Sequence, residues 1–270
     1  SHMGRRVDAA SPIVSAELPM GGERFEGVLP PVAPGPCFSI RKPAGRVIAL
    51  DEYVASGVMA PHHAEALRQA VLHRENILVV GGTGSGKTTL ANALLAEIAQ
   101  TGDRLVILED TRELISTARD AVQLRTQPGS VTLADLVRST LRLRPDRIII
   151  GEVRGAEALD MLKAWNTGHP GGVATLHANS AHGGLSRLEQ LIGETSAQVP
   201  HDLIAETIDC VVYITRRAGA HRVETVARMN GLGRQGYDLI PVQPDLQLVL
   251  PSLPFSEPLL STAPERIHPK

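Results

Sequence analysis

Cysteine is nearly absent from this chain. Only Cys37 and Cys210 occur among its 270 residues, far apart and without the CxxC spacing of a zinc site, so both are expected as reduced core residues in an intracellular compartment. Aromatic residues are also few: three Tyr, three Phe and one Trp leave little with which to stack bases along a single strand. Neither charge sign prevails. Twenty-seven Lys plus Arg oppose 29 Asp plus Glu, a net charge of -2, which excludes a bulk field for coating DNA or anionic lipid. No direct sequence-specific nucleic-acid binding is expected. No apolar run reaches the roughly 18 residues of a membrane helix, and the start is no charged-then-apolar leader, so neither a transmembrane segment nor secretion is expected. Lysine is rarest among the charged residues, with four in the chain, which makes the place of each informative.

Apolar residues at 43% and charged residues at 21% predict a globular chain with a sizeable core. Ser1-His2-Met3 reads as a cloning scar, with natural N-terminal residues expected to be missing. Residues 4–50 carry Pro12, Pro19, Pro30, Pro31, Pro34, Pro36 and Pro43 among short apolar runs, the pattern of a truncated β-rich N-terminal domain. A linker over 51–75 contains a helix over 61–74, with Pro61 in its first turn and Ala64, Leu67, Val71 and Leu72 on one stripe.

Over 76–240, buried-looking strands at 77–80, 105–108, 148–150 and 173–176 alternate with amphipathic helices. This predicts an α/β domain whose mostly parallel sheet is covered on both faces. Thr132 is a plausible N-cap ahead of Leu133, Leu136, Val137 and Leu141, and Leu185, Leu188, Leu191 and Ile192 repeat likewise after Ser180. Pro200 starts a short helix, and 210–214 with 222–229 read as a closing pair of strands. Residues 241–270 hold seven prolines and read as an extended tail.

The strongest motif runs Gly81-Gly82-Thr83-Gly84-Ser85-Gly86-Lys87-Thr88-Thr89, directly after one apolar strand and before a helical stretch. It satisfies G-x-x-x-x-G-K-[ST] in its strand, loop, helix context, which marks a P-loop. Backbone N–H groups of such a loop curl around a polyphosphate, Lys87 reaches the β- and γ-phosphates of ATP, and the Thr88 hydroxyl binds Mg²⁺. A Gly-rich turn without ligand is the bland alternative.

Three further blocks fall at strand ends. The strand at 148–150 delivers Gly151 and then Glu152, where a P-loop enzyme usually has an Asp; Glu152 would hold the metal through water or orient the attacking water, or else simply be solvated. After 105–108 come Glu109, Asp110, Arg112 and Glu113, a cluster able to position water, although an acidic patch capping a helix has the same composition. The strand at 173–176 leads to His177, which can donate to a γ-phosphate oxygen or serve as a structural histidine. His169 and His182 add no metal-ligand spacing, so no zinc site is expected.

In this order the Gly81 loop, the box ILEDTREL, the box RPDRIIIGEVRG and the box GHPGGVATLHANS resemble the traffic ATPases of type II and type IV secretion and of pilus machines, closest to the conjugal-transfer group. The resemblance, over about residues 15–230, implies a RecA-like ATPase domain behind a smaller β-rich domain, six copies in a ring and nucleotide between the domains. It also implies that Arg24 and Arg41 of the small domain reach the phosphates, that Arg142 and Arg154 lie near a subunit boundary, and that Glu109 and His177 serve catalysis. Mg-dependent ATP hydrolysis would then power conjugal DNA or protein transfer, or pilus assembly, by a type IV secretion system at the cytoplasmic face of the inner membrane. A nucleic-acid-stimulated helicase or packaging motor of the same RecA-like scheme is the alternative.

Overall fold

The computed structural model describes residues 7–19, 22–42, 45–234 and 236–244; the expected scar and most of the expected tail lie outside the described residues. Three short strands come first. β1 (Ile13–Glu17), β2 (Arg24–Val28) and β3 (Cys37–Arg41) form an antiparallel sheet in that order, with prolines confined to its flanks and turns, where no ladder donor is lost. All five residues of β3 are exposed, and Phe25 and Phe38 stack with ring centroids 6.0 Å apart. Cys37 is therefore exposed, contrary to expectation: three strands have too little chain to cover both of their faces. Cys210 is buried as expected.

Two helices lead into the main sheet, α1 (Leu50–Ala55) and α2 (Pro61–Leu72), the second opened by Pro61. Ala64, Leu67 and Val71 are buried, whereas Leu72 is 63% exposed. One residue past Val71 turns the side chain by about 100°, off the buried stripe.

The remaining elements are β4 (Ile77–Gly81), α3 (Lys87–Ile98), β5 (Leu105–Glu109), β6 (Ala121–Arg125), α4 (Leu133–Thr140), β7 (Arg147–Ile150), α5 (Glu157–Asn166), β8 (Val173–His177), α6 (Ala181–Gly193), α7 (His201–Thr207), β9 (Cys210–Arg217), β10 (Ala220–Gly233) and β11 (Gly236–Pro241). Their strands form an eight-stranded sheet in the order β11-β10-β9-β4-β8-β7-β5-β6, parallel from β9 to β6 and antiparallel at β10 and β11. Because both faces are covered, β4, β5 and β7 are buried at every position. Leu67, Leu90 and Leu94 pack on one face, and Leu136, Trp165 and Leu188 on the other.

Thr132 caps α4 as expected, its hydroxyl accepting from the Asp135 N–H at 3.2 Å, and Ser180 caps α6 by accepting from Gly183 N–H at 2.9 Å. Leu141, expected on the apolar stripe, is 44% exposed because α4 has ended by then and the chain turns away. The start of the expected tail is paired: Pro241 lies opposite Ala227, and Val242 N–H donates to Val226 carbonyl at 2.8 Å. Deep in the fold, Arg147 is 1% exposed and donates to Asp103 at 2.6 Å and to the Val71 carbonyl at 2.9 Å, tying β7 to α2.

Candidate functional site

Gly81, Glu109 and His177 end β4, β5 and β8, and Glu152 follows β7 by two residues. Parallel pairing in register, with Gly81 opposite His177, therefore gathers all four at the carboxyl edge of the sheet, where open α/β folds bind ligands. The glycine-rich loop spans the gap from β4 to α3. A Cβ on Gly81 would lie 2.3 Å from the Ile214 carbonyl, so only glycine lets the loop leave the strand there. Gly86 has φ +97°, a left-handed conformation that turns the chain into α3 and leaves the first-turn N–H groups facing the cleft.

Lys87 is 7% exposed, and its ammonium donates to the Gly81 and Gly82 carbonyls at 3.1 and 3.0 Å. Burial pulls its pKa below the usual lysine value, helped by Arg41 and Arg154 and opposed by Glu152. The same ammonium lies 3.3 Å from His177 Nδ1, and His177 Nε2 lies 2.8 Å from Glu152 Oε1. An ionised carboxylate can only accept, so the imidazole proton sits on Nε2, facing Glu152, and Nδ1 is left to accept from Lys87. Burial and the neighbouring Lys87 hold the His177 pKa down, against Glu152. For Glu152, burial acts upward but is outweighed by Arg154, which donates at 2.6 Å, and by His177 and Lys87; the carboxyl stays ionised.

Gly151 stands where the strand-end Asp was missing from the sequence. A Cβ there would lie 3.0 Å from Glu109 Cγ, so the buried Glu109 occupies the space that a side chain at 151 would need. Glu109 is 3% exposed. Its Oε1 accepts from the Glu113 and Leu114 N–H groups, both at 2.8 Å, while Oε2 is buried with no hydrogen-bond partner. Burial raises its pKa, partly offset by those two N–H groups.

By folding the acidic loop over itself, Glu109 turns Glu113 into the cleft. There the Thr88 hydroxyl donates to Glu113 Oε2 at 3.3 Å, Arg41 donates to the same oxygen at 3.2 Å, and Arg24 lies 3.7 Å from Oε1. The structure thus brings Arg24 and Arg41 of the small sheet to the glycine-rich loop. A further ion pair, Arg125 with Glu17, holds that sheet to β6. Arg154 reaches the same cleft, 3.8 Å from Asp110, whereas Arg142 is exposed between α4 and the amino end of β7, away from it. Sequence reasoning named Glu113 only as one member of a cluster; its spacing of four residues from Glu109 was the available signal.

Thr83, Gly84, Ser85, Gly86, Lys87, Thr88, Thr89 and the side chains of Arg41, Glu113, Glu152 and His177 line a cleft of about 460 Å³. Its neighbour brings the Thr88 hydroxyl beside Glu109, Asp110, Glu113 and Glu152, a hard oxygen donor set that fits Mg²⁺. Among the described residues no three His, Cys, Asp or Glu form a metal cage.

The description of the type II/IV secretion system protein family matches residues 3–237. The chain belongs to that family. It is 54% identical over 233 residues to the conjugal transfer protein TrbB of Rhizobium radiobacter, covering 86% of this chain and 72% of that protein. The type IV secretion system protein VirB11 of Bartonella quintana is 31% identical, with 84% and 76% covered. Among solved structures, the VirB11 ATPase of the Brucella suis type IV secretion system, in complex with sulphate, superposes with a TM-score of 0.56 at 30% identity over 84% of this chain and 76% of that one. The pilus retraction motor PilT with bound ADP, at 22% identity, TM-score 0.59 and coverage of 87% and 65%, shares the fold. The chain is a secretion-family ATPase of the conjugal-transfer group, as its motifs implied. Among the described residues no helix is long and apolar enough to cross a membrane.

Proposed function

We propose that this chain is a RecA-like P-loop ATPase, a domain over about 76–240 behind a smaller β-rich one, that hydrolyses ATP with Mg²⁺ and converts γ-phosphate loss into motion of the small N-terminal sheet. As a ring of six at the cytoplasmic face of the inner membrane, it would power conjugal DNA or protein transfer, or pilus assembly, by a type IV secretion system. One observation carries the reading: Arg24 and Arg41 of the small sheet converge on Glu113, which also holds Thr88 of the glycine-rich loop.

Lys87 and the loop N–H groups bind the phosphates, and the loop's helix N-terminus adds partial positive charge. Bound Mg²⁺ supplies neutralisation of the phosphate oxygens, and Thr88 and Glu152 would hold it. Glu152, kept ionised by Arg154, orients the attacking water and takes up its proton. As the water oxygen bonds to the γ-phosphorus, the bond to the bridging oxygen breaks and ADP leaves with inorganic phosphate. Glu109 serves by holding the acidic loop, a positioning role in place of the expected direct contact with water. His177, whose Nε2–H faces Glu152, would exchange that partner for a γ-phosphate oxygen and so sense the terminal group. Arg24 and Arg41 neutralise developing charge. When the terminal phosphate departs, the two arginines lose an anion that also gripped Lys87, and the sheet is released from the larger domain.

Phosphate release by the wild type, Lys87→Ala and Glu152→Gln, with folding followed by circular dichroism, tests the site. Folded variants that turn over like the wild type would remove the assignment. Arg24→Ala is expected to lower turnover on the order of a thousandfold with little change in affinity.

A further inference from the structure

β9 and β10 form a hairpin whose two-residue turn, Ala218-Gly219, has φ +49° and +85°, the left-handed pair of a type I′ turn. The tight turn fixes the register, with His221 opposite Arg216 and Val223 opposite Ile214. Alternation then puts His221 on the same side as the buried Val223, the side covered by α2 and α3. From there its ring lies against the glycine-rich loop: Nδ1 is 2.9 Å from the Ser85 carbonyl, and a Cβ on Gly86 would lie 3.3 Å from the same nitrogen. A carbonyl can only accept, so Nδ1 carries the proton. In the neutral ring Nε2 is left as an acceptor.

His221 lines two cavities at once. One is the phosphate cleft of about 460 Å³; the other is a slot of about 220 Å³ walled by Ile48, Tyr53, Val58 and Ile214. The slot is mostly apolar and aromatic-edged, suited to a flat heterocycle, and the cleft suits a polyphosphate. Gly86, Thr89 and His221 are the residues common to both. In a nucleoside triphosphate the unit joining base to phosphates is the sugar, so the sugar must pass these three. Gly86 has no side chain, and His221 brings an unused acceptor to the junction.

We propose that His221 is a specificity-determining residue that accepts a hydrogen bond from a ribose hydroxyl, so that the enzyme prefers ribonucleotides. This deepens the nucleotide reading of the site and rests on it. The Ser85 bond makes a purely supporting role the competing explanation, and the two differ in what they do to sugar preference. Loss of loop support lowers turnover of every nucleotide alike, whereas loss of a sugar contact lowers only that of the nucleotide carrying the hydroxyl.

The test measures kcat/KM for ATP, 2′-deoxy-ATP and 3′-deoxy-ATP in the wild type, His221→Ala and His221→Asn, with circular dichroism on each. In His221→Asn the introduced amide keeps an N–H donor near the position of Nδ1 for the Ser85 carbonyl but has no atom at Nε2. The wild type is expected to favour ATP about five- to tenfold over at least one deoxy analogue, the worth of one neutral hydrogen bond. Both variants should bring that ratio close to one, with His221→Asn, which keeps a donor for Ser85, losing turnover of ATP more than turnover of the disfavoured analogue. No preference in the wild type, or a preference that survives in both folded variants, overturns the inference while the ATPase reading stands. Release of phosphate from none of the three nucleotides removes that reading and this inference with it.

Discussion

Arg41 donates to Glu113 at 3.2 Å across the seam between the three-stranded sheet and the glycine-rich loop, and Glu113 in turn accepts from Thr88 of that loop at 3.3 Å. One carboxylate therefore connects the small sheet to the residue expected to anchor the metal. A γ-phosphate binding in the cleft would compete with Glu113 for the same guanidinium, since both are oxyanions with matching bidentate geometry. On the proposed function the seam would be an exchange of partners rather than a permanent weld.

If that is so, the Arg41–Glu113 pair contributes little to folding. Arg41 is 62% exposed, and exposed pairs are worth up to about 1 kcal/mol. Arg41→Ala is expected to shift the urea unfolding free energy by less than about 1 kcal/mol while lowering phosphate release on the order of a thousandfold. A large loss of stability with turnover intact would place Arg41 in the scaffold instead.

His177 provides a second check, because its neighbours push in known directions. Burial and Lys87 lower its pKa from 6.5, and Glu152 opposes them. Removing the ammonium by Lys87→Met should raise the His177 pKa, and Glu152→Gln should lower it further, as read from the imidazole resonances in an NMR pH titration. The linkage has a definite sign. Above 6.5 neither folded nor unfolded chain is protonated at this residue; as pH falls from 6.5 through the depressed folded value the unfolded chain binds the proton first, and stability declines.

Asp103 adds to the same loss of stability in acid, at lower pH. Burial pushes its pKa up, but the hydrogen bonds from Arg147 and Thr101, with the charges of Arg147 and Arg74, pull it below 3.8 overall. Its contribution is present above the unfolded pKa of 3.8 and lost as pH falls through the lowered folded value. Asp103→Asn leaves the buried Arg147 guanidinium without its counter-charge, which costs about 3–5 kcal/mol at neutral pH. Urea midpoints at pH 7 and in acid should show that gap closing as the wild-type carboxylate protonates. An equal gap at both would show that shape, not charge, holds the pair.

The parts of the fold that were legible are those where burial left one residue type. Strands β4, β5, β7 and β8 read as apolar runs because both faces are covered, and the glycine-rich loop read from its fixed spacing. β6 (Ala121–Arg125) was not read: at the parallel edge of the sheet it is half exposed, so Gln123 and Arg125 interrupt any apolar run. α5 and β11 also went unread, the latter interrupted by Asp238 and ended by Pro241 on the opposite edge. In the site, Lys87 came from the spacing of the loop, and Glu152 and His177 came from strand ends. Glu113 and His221 could not, because each reaches the cleft through a turn, one folded by Glu109 and one by Ala218-Gly219, that no periodicity encodes.

Close packing at Gly172 gives the last prediction, and it concerns the scaffold that sets the strand ends. A Cβ there would lie 2.1 Å from Trp165 Cε2, and the indole cannot step aside: it is 2% exposed and its N–H donates to the Ile148 carbonyl at 3.0 Å. Gly172→Ala should therefore force the ring off its bond and destabilise the fold by about 1–3 kcal/mol. The chain has one tryptophan, so its fluorescence reports the displacement directly, as a red shift in the folded baseline as well as an earlier unfolding midpoint. Gly193→Ala is the matched control. At the end of α6 the new Cβ would meet Val199 at an ordinary 3.7 Å, and alanine's helix propensity should leave the fold unchanged or stabilise it by up to about 1 kcal/mol. Equal effects at both positions would mean that the Trp165 contact is relieved by backbone movement, and β8 would then be less firmly set than its register implies.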